Sequence, residues 1–263
     1  MSRNFNGSSN YIDIESNTVP KPPMTIFAWI KIASFATGQK VVARWDDGPP
    51  STHFLLQTNT DSTLGFVVKN SNDTARWGRK STSLSTDTWY AIAAVSDNIS
   101  VSGVKVYING VPYSNAWIDD NSGTNDISAQ LTLGAGQSDA ARVGHFNGIL
   151  AEVAIWDVLL TDNEIVMLSR GICPVRVRKA NLYSYHPLYG VSSPEVDLSG
   201  NLRNGVVTGA TQADHARIAP PFGFDVGWMG AYTAVVGGEP EGSLIGGKLI
   251  RGGLLKHGVL IGV

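Results

Sequence analysis

Two short stretches of this chain put an indole beside paired carboxylates. Trp45 adjoins Asp46-Asp47, and Trp117 stands just ahead of Asp119-Asp120. The chemistry open to such stretches is saccharide binding, because the C–H face of a sugar packs on an aromatic ring while its hydroxyls take carboxylates. Asp46, Asp47, Asp119 and Asp120, with Asp126 close by, also offer the oxygen ligands of which hard Ca²⁺ takes about six to eight. Ordinary rim packing of the tryptophans, and plain polar loops, account for the same residues. Glycan contact at Trp45 and Trp117, and Ca²⁺ at the aspartate pairs, are therefore expectations for the structure to meet.

Bond-breaking chemistry finds no residues to carry it. Glycoside hydrolysis needs two carboxylates flanking one bond, and on a strand they must alternate to reach the same cleft. The chain has six glutamates, and none begins such a series. Asp13 and Glu15 share a face of an early strand, where a solvated outer side explains them, and Glu152 and Asp157 fall on opposite faces. The five histidines, His53, His145, His186, His215 and His257, have no zinc-ligand spacing, and one cysteine, Cys173, supports neither a thiolate site nor an internal disulfide. Gly134-Ala135-Gly136 leads into polar residues and not a helix, so it is no dinucleotide loop, and no serine elbow is present. A non-enzymatic chain is expected.

The carboxyl end carries a different signal. In SLIGGKLIRGGLLKHGVLIGV, residues 243–263, a sixfold register aligns Gly246, Gly252 and Gly258, and sets Leu249, Leu255 and Ile261 in one column. Glycine suits a chain that bends at intervals, and the apolar columns cannot be buried by so short a segment alone. One coil of a three-sided hexapeptide helix takes roughly 18 residues, so the segment is expected to complete itself on another chain. Leu244, Ile245, Leu249, Ile250, Leu254, Leu255, Leu260 and Ile261 are the expected assembly residues. The expected partners are further copies of the chain, most simply as a trimer, or an acidic surface of another protein met by Lys248, Arg251 and Lys256.

These candidate residues need elements to position them, and the patterning is that of strands. Tyr11 to Glu15 alternates, and Met24 to Ile32 is longer and more apolar, as a central strand would be. Further runs lie at residues 40–44, 53–57, 64–69, 89–95, 104–108, 130–133 and 148–156. Trp29, Trp89 and Trp156 fall in core-like strands, and Trp77 in a loop-like segment. Asn109-Gly110 predicts a type I′ hairpin, since both residues accept positive φ. Thr161 to Glu164 is a capping box opening one short helix, with Ile165 and Leu168 on its buried face and Gly171 past its end. After Cys173, the Val175 to Arg178 alternation, Leu182 to Leu188, and Leu202 to Thr208 all pattern as strands, and Pro220-Pro221 marks a boundary. The whole predicts an all-β antiparallel sandwich with one short helix and an extended Gly-rich apolar tail.

Several segments in order resemble the laminin G-like, concanavalin A-like jelly roll. They are Phe5-Asn6-Gly7 through Ile14, Thr25 to Ile30, Trp89 to Val95 followed by Val106 to Val111, and Leu131 to Gly134 followed by Phe146 to Trp156. The helix at Thr161 to Leu168 resembles the one that follows those strands. The resemblance implies a jelly roll over residues 1–171 and a lectin-like body. Residues 172–223 are expected to complete the same sandwich, 224–242 to form a linker or arm, and 243–263 to form the assembly tail. Such a body with a Gly-apolar tail is similar to structural proteins of tailed bacteriophages, which implies a virion decoration or spike protein. Surface attachment through carbohydrate is the alternative.

Bulk composition is consistent with this reading. The chain is 43% hydrophobic and 16% charged with a formal net charge of −2, which suggests neither nucleic acid nor an anionic membrane as partner. The first residues lack the apolar run of a secretory signal, so synthesis in a host cytoplasm and incorporation into a particle are expected. No stretch of about 18 apolar residues suggests a membrane span.

Overall fold

The computed structural model describes residues 1–14, 21–44, 54–69, 76–97, 100–120, 130–138, 141–190 and 192–215, and four short strands beyond residue 242. The chain divides into two units, Met1–Gly223 and Phe224–Val263.

In the first unit the strands run β1 (Ser2–Asn6), β2 (Tyr11–Ile14), β3 (Met24–Ile32), β4 (Gln39–Arg44), β5 (Phe54–Thr58) and β6 (Thr63–Lys69). They continue as β7 (Arg76–Ser83), β8 (Trp89–Ser96), β9 (Lys105–Ile108), β10 (Val111–Tyr113), β11 (Asn115–Asp120) and β12 (Thr132–Leu133). A small hairpin, β13 (Gly136–Ser138) and β14 (Ala141–Val143), precedes β15 (Asn147–Trp156) and helix α1 (Asp162–Ser169). The unit closes with β16 (Leu182–His186), β17 (Gly205–Thr208) and β18 (Thr211–Ala213).

These strands form two antiparallel sheets. The first has the order β10-β9-β8-β3-β15-β1-β18 with β16 also on β15, and the second has the order β11-β7-β6-β5-β4-β12-β2-β17. β3 pairs on both sides, with β8 and β15, which is why its sequence is apolar almost throughout. Alternation assigns the faces. Ile26, Ile30, Ile92 and Leu150 of the first sheet meet Ile12, Val42, Leu56, Phe66 and Val68 of the second in one buried core. The architecture is the predicted antiparallel sandwich.

Local signals formed as read. Asn109 and Gly110 take φ of 51° and 83°, and Ile108 pairs with Val111 across a two-residue turn. Thr161 Oγ1 accepts from the Glu164 N–H at 3.3 Å, while Glu164 Oε2 accepts from the Thr161 N–H at 2.8 Å. Ile165 and Leu168 of α1 are buried, and with Leu160, Val177, Leu182 and Tyr185 they cover Phe27, Ala93, Tyr107 and Trp156 on the outer face of the first sheet.

Two local readings are corrected. Val175 to Arg178 is not a strand: residues 174–176 and 179–181 are 3₁₀ turns, because Pro174 opens the first and Arg178 takes a left-handed φ of 40°. Trp77 is not in a loop but on β7, 9% exposed and in the core. Polar residues at its inward neighbours, Arg79 and Ser81, hid the alternation; the Ser81 hydroxyl accepts from Leu64 N–H at 3.0 Å and makes that burial tolerable.

The segment after α1 is tied to both sheets: β16 to β15, β17 to β2 and β18 to β1. Two polar centres hold it. The Asp197 carboxylate accepts from the N–H groups of Tyr185, Ser199 and Arg203 at 2.9, 2.9 and 3.0 Å, and from the Ser199 hydroxyl at 2.8 Å. Arg3 donates from Nε to Glu195 Oε2 at 2.8 Å and from its terminal nitrogens to the carbonyls of Ala210 and Ser192, with both side chains at most 5% exposed.

The second unit contains β19 (Ser243–Ile245), β20 (Lys248–Ile250), β21 (Leu254–Lys256) and β22 (Val259–Ile261). They pair antiparallel as two hairpins, with Leu244 opposite Leu249 and Leu255 opposite Leu260. This replaces the sixfold coil expected of the tail. Each hairpin spans two three-residue strands separated by two residues, Gly246-Gly247 and His257-Gly258, so the spacing from Leu244 to Leu255 is eleven and not six. Leu244, Ile245, Leu249, Ile250, Leu254, Leu255, Leu260 and Ile261 all lie on these strands.

Candidate functional site

The two outer faces of the sandwich differ. That of the first sheet lies under α1 and the segment following it, whereas the outer face of the second sheet has, among the described residues, an apolar strip of Ala43, Leu55 and Val67, packed by Trp117 and Ile118. Register places these residues side by side: Ala43 is opposite Leu55 and Leu55 opposite Val67, while Val67 is opposite Gly78.

Trp117 reaches this strip because β11 is irregular. Its pairing with β7 slips between Ala116 and Ile118, leaving Trp117 as the unpaired residue of a bulge. Two glycines leave room beneath. A β-carbon on Gly65 would lie 2.4 Å from Cζ3 of Trp117, and one on Gly78 would lie 2.9 Å from Cβ of Ile118. The six-membered ring of the indole therefore rests on bare backbone, half-buried, in the manner of a platform.

Two polar clusters share this sheet, one beside the platform and one four strands away on β2. In the first, Gln57 Nε2 donates to Asn59 Oδ1 at 2.6 Å, Asn59 Nδ2 to Thr63 Oγ1 at 3.0 Å, and Thr63 Oγ1 to Asp61 Oδ1 at 2.6 Å. Lys80 Nζ then donates to Asp61 Oδ2 at 2.8 Å. The Lys80 ammonium and the Thr63 hydroxyl hold the Asp61 carboxyl below the usual carboxylate range. At β2, Arg142 donates to Asp13 Oδ1 at 2.6 Å and to Gln137 Oε1 at 2.9 Å, and its guanidinium stands 5.3 Å from the Tyr11 ring centroid. Thr132 Oγ1 also donates to Asp13, at 3.3 Å. Chains of hydrogen bonds fix each of these groups in place, as recognition of sugar hydroxyls requires.

Of the residues predicted from sequence, the structure brings Trp117 to this face and places Asp119 and Asp120 on the same strand, opposite Trp77 and Arg76. Trp45, Asp46 and Asp47 lie outside the described residues. Among the described residues no three His, Cys, Asp or Glu side chains come together as a metal site. Asp13 had been assigned to a solvated face; it is instead half-buried and ion-paired to Arg142. Gln57, Asn59, Asp61, Lys80 and Arg142 were not predicted. Only the outward alternation of Gln57 against Leu56 hinted at them.

A laminin G family model, described as the concanavalin A-like lectin/glucanases superfamily, matches residues 6–166. No curated protein sequence matches the chain. Among solved structures, a proposed carbohydrate binding protein from Bacteroides ovatus is similar at a TM-score of 0.58 and 20% identity, over 83% of this chain. The chain spans 61% of that protein. A heptameric SAP-like pentraxin from Limulus polyphemus aligns at a TM-score of 0.46 and 18% identity, over 64% of this chain and 81% of that one. The CBM40 module of Ruminococcus gnavus IT-sialidase, bound to α2,3-sialyllactose, aligns at 0.48 and 15% identity, over 64% of this chain and 98% of that one.

Proposed function

The chain belongs to the concanavalin A-like lectin/glucanases superfamily, and on that premise we propose that it is a non-enzymatic carbohydrate-binding module. The binding surface is the outer face of the second sheet. The observation that carries this reading is the Trp117 indole resting on Gly65 beside the fixed polar cluster of Gln57, Asn59, Thr63, Asp61 and Lys80. A sugar ring would lie against the indole with its hydroxyls meeting Gln57, Asn59 and Asp61, and a longer saccharide would run across the same face toward Asp13 and Arg142, four strands away. The fold likeness to the Bacteroides ovatus protein agrees with this reading.

A glycan array run with Ca²⁺ and with chelator tests it. Full-length protein is expected to bind at least one saccharide. Trp117→Ala should weaken that binding by about tenfold or more, since truncating a central aromatic costs about 2 kcal/mol. The variant should stay folded, because Trp117 packs outside the main core. Silence across the array in both conditions would sink the proposal, as would binding indifferent to Trp117. Dependence on Ca²⁺ would favour a cation at the Asp46-Asp47 or Asp119-Asp120 pairs.

A second reading concerns the tail. An isolated two-stranded hairpin is marginal in water, and the second unit has two of them with apolar sequences. Covering them by further copies of the chain, as a trimer, or by a capsid protein would supply what each lacks. That arrangement would make the protein a decoration or spike component of a virion, with the carbohydrate-binding body displayed outward. Sedimentation of the full chain should then give a trimer, and a chain ending at Glu241 a monomer. Equal monomeric masses would eliminate self-assembly.

A further inference from the structure

Resting on the carbohydrate reading, we infer that the saccharide class taken by this face is uncharged, and that acidic sugars are rejected. Charge pairing across the face carries the inference. The Arg142 guanidinium on the Tyr11 side already holds the Asp13 carboxylate at 2.6 Å and the Gln137 amide oxygen at 2.9 Å. The Lys80 ammonium on the other side already holds Asp61 at 2.8 Å. A sugar carboxylate or sulfate arriving here would meet cations already neutralised by an adjacent carboxylate, so attraction to the cation is offset by repulsion from its partner.

An uncharged saccharide meets no such obstacle. Its hydroxyls both donate and accept. The carboxylate and amide oxygens of Asp13, Asp61 and Gln57 retain accepting capacity, and the Gln57, Asn59 and Arg142 N–H groups can be shared. The indole on Gly65 supplies the apolar contact that needs no charge.

Titration of the full chain against neutral oligosaccharides and against sialyllactose, uronate and sulfated oligosaccharides decides the matter. Measurements at about 0.1 M and about 1 M NaCl, across which the Debye length falls from roughly 10 Å to roughly 3 Å, add a second readout. Neutral ligands are expected to bind with less than a twofold change between the two salts, and acidic ones at least tenfold more weakly. Two variants invert the preference by unpairing a cation: Asp13→Asn releases Arg142, and Asp61→Asn, at a more exposed position, releases Lys80. Each should raise affinity for the acidic saccharides by about tenfold, the worth of one charge-assisted hydrogen bond, and that gain should vanish at high salt. Wild-type preference for acidic saccharides, or no gain in either variant, overturns the inference and leaves the carbohydrate reading standing. Absence of binding to every saccharide overturns both.

Discussion

Glu195→Ala is expected to destabilise the protein by about 3–5 kcal/mol, the cost of leaving one partner of a buried ion pair alone. Arg3 and Glu195 are 4% and 5% exposed, and their contact at 2.8 Å spans 192 positions of sequence. With the carboxylate gone, the guanidinium keeps only the carbonyls of Ala210 and Ser192, neither of which neutralises it. The Tyr189 N–H, which donates to Glu195 Oε1 at 2.9 Å, is orphaned as well. The damage falls where β18 meets β1, so the segment from β16 to β18 should become the first target of limited proteolysis. Urea unfolding supplies the number. The double variant R3M/E195L separates the pair's geometry from its charge: it should recover much of the loss, since no unpaired charge remains. A loss below about 1 kcal/mol for Glu195→Ala would mean that water reaches the guanidinium, which its burial argues against.

Acid should loosen the same segment through a different residue. His186, on β16, is 1% exposed, and among the described residues neither ring nitrogen has a hydrogen-bond partner. Burial pushes its pKa down from the ordinary 6.5 to about 4, with the Asp197 carboxylate nearby partly opposing the shift. Between those two values the unfolded imidazole is protonated and the folded one is not. The unfolded state thus binds more protons, and stability falls as pH falls. The full contribution is present above 6.5 and is lost by about pH 4, amounting to roughly 3 kcal/mol across that window. Unfolding free energies of wild type and His186→Leu, measured from neutral pH to about 4, isolate this residue from the carboxylates that titrate alongside it. The wild-type curve should bend downward below 6.5 and the variant curve should stay flatter; parallel curves would show that His186 is not the sensor.

Much of the fold was legible because its signals are short-range. The alternation of Tyr11 to Ile14, the apolar run of β3, the Asn109-Gly110 turn and the Thr161 cap each depend on dihedral preferences and hydrogen bonds within a few residues. Failures came where a local pattern met a contrary neighbour. Val175 to Arg178 alternates like a strand, yet Pro174 and the left-handed Arg178 turn it into 3₁₀ structure. β7 reads as polar because Arg79 and Ser81 face inward, where the second sheet supplies them with backbone partners. In the tail, a sixfold column of glycines competed with an eleven-residue hairpin spacing in the same letters, and pairing favoured the latter.

The candidate site was legible only in its most conspicuous residue. An indole beside aspartates marks Trp117 as worth a function, but nothing in residues 115–120 says that a bulge will swing it over Gly65, some fifty positions earlier. Asp13 reads from sequence as a solvated acid, and nothing local links it to Arg142, 129 positions away. Nor does anything local link Asp61 to Lys80. The sequence by itself determined which segments become strands and which side of each is apolar, since period-two patterning and turn chemistry are local properties of the chain. Which strands become neighbours, and so which polar side chains share a face, was decided by packing the two apolar faces into one core, with register and bulges following from that packing. The charge pairing on this face exists only at this second level, because an ion pair depends on distance in space and no local pattern encodes it.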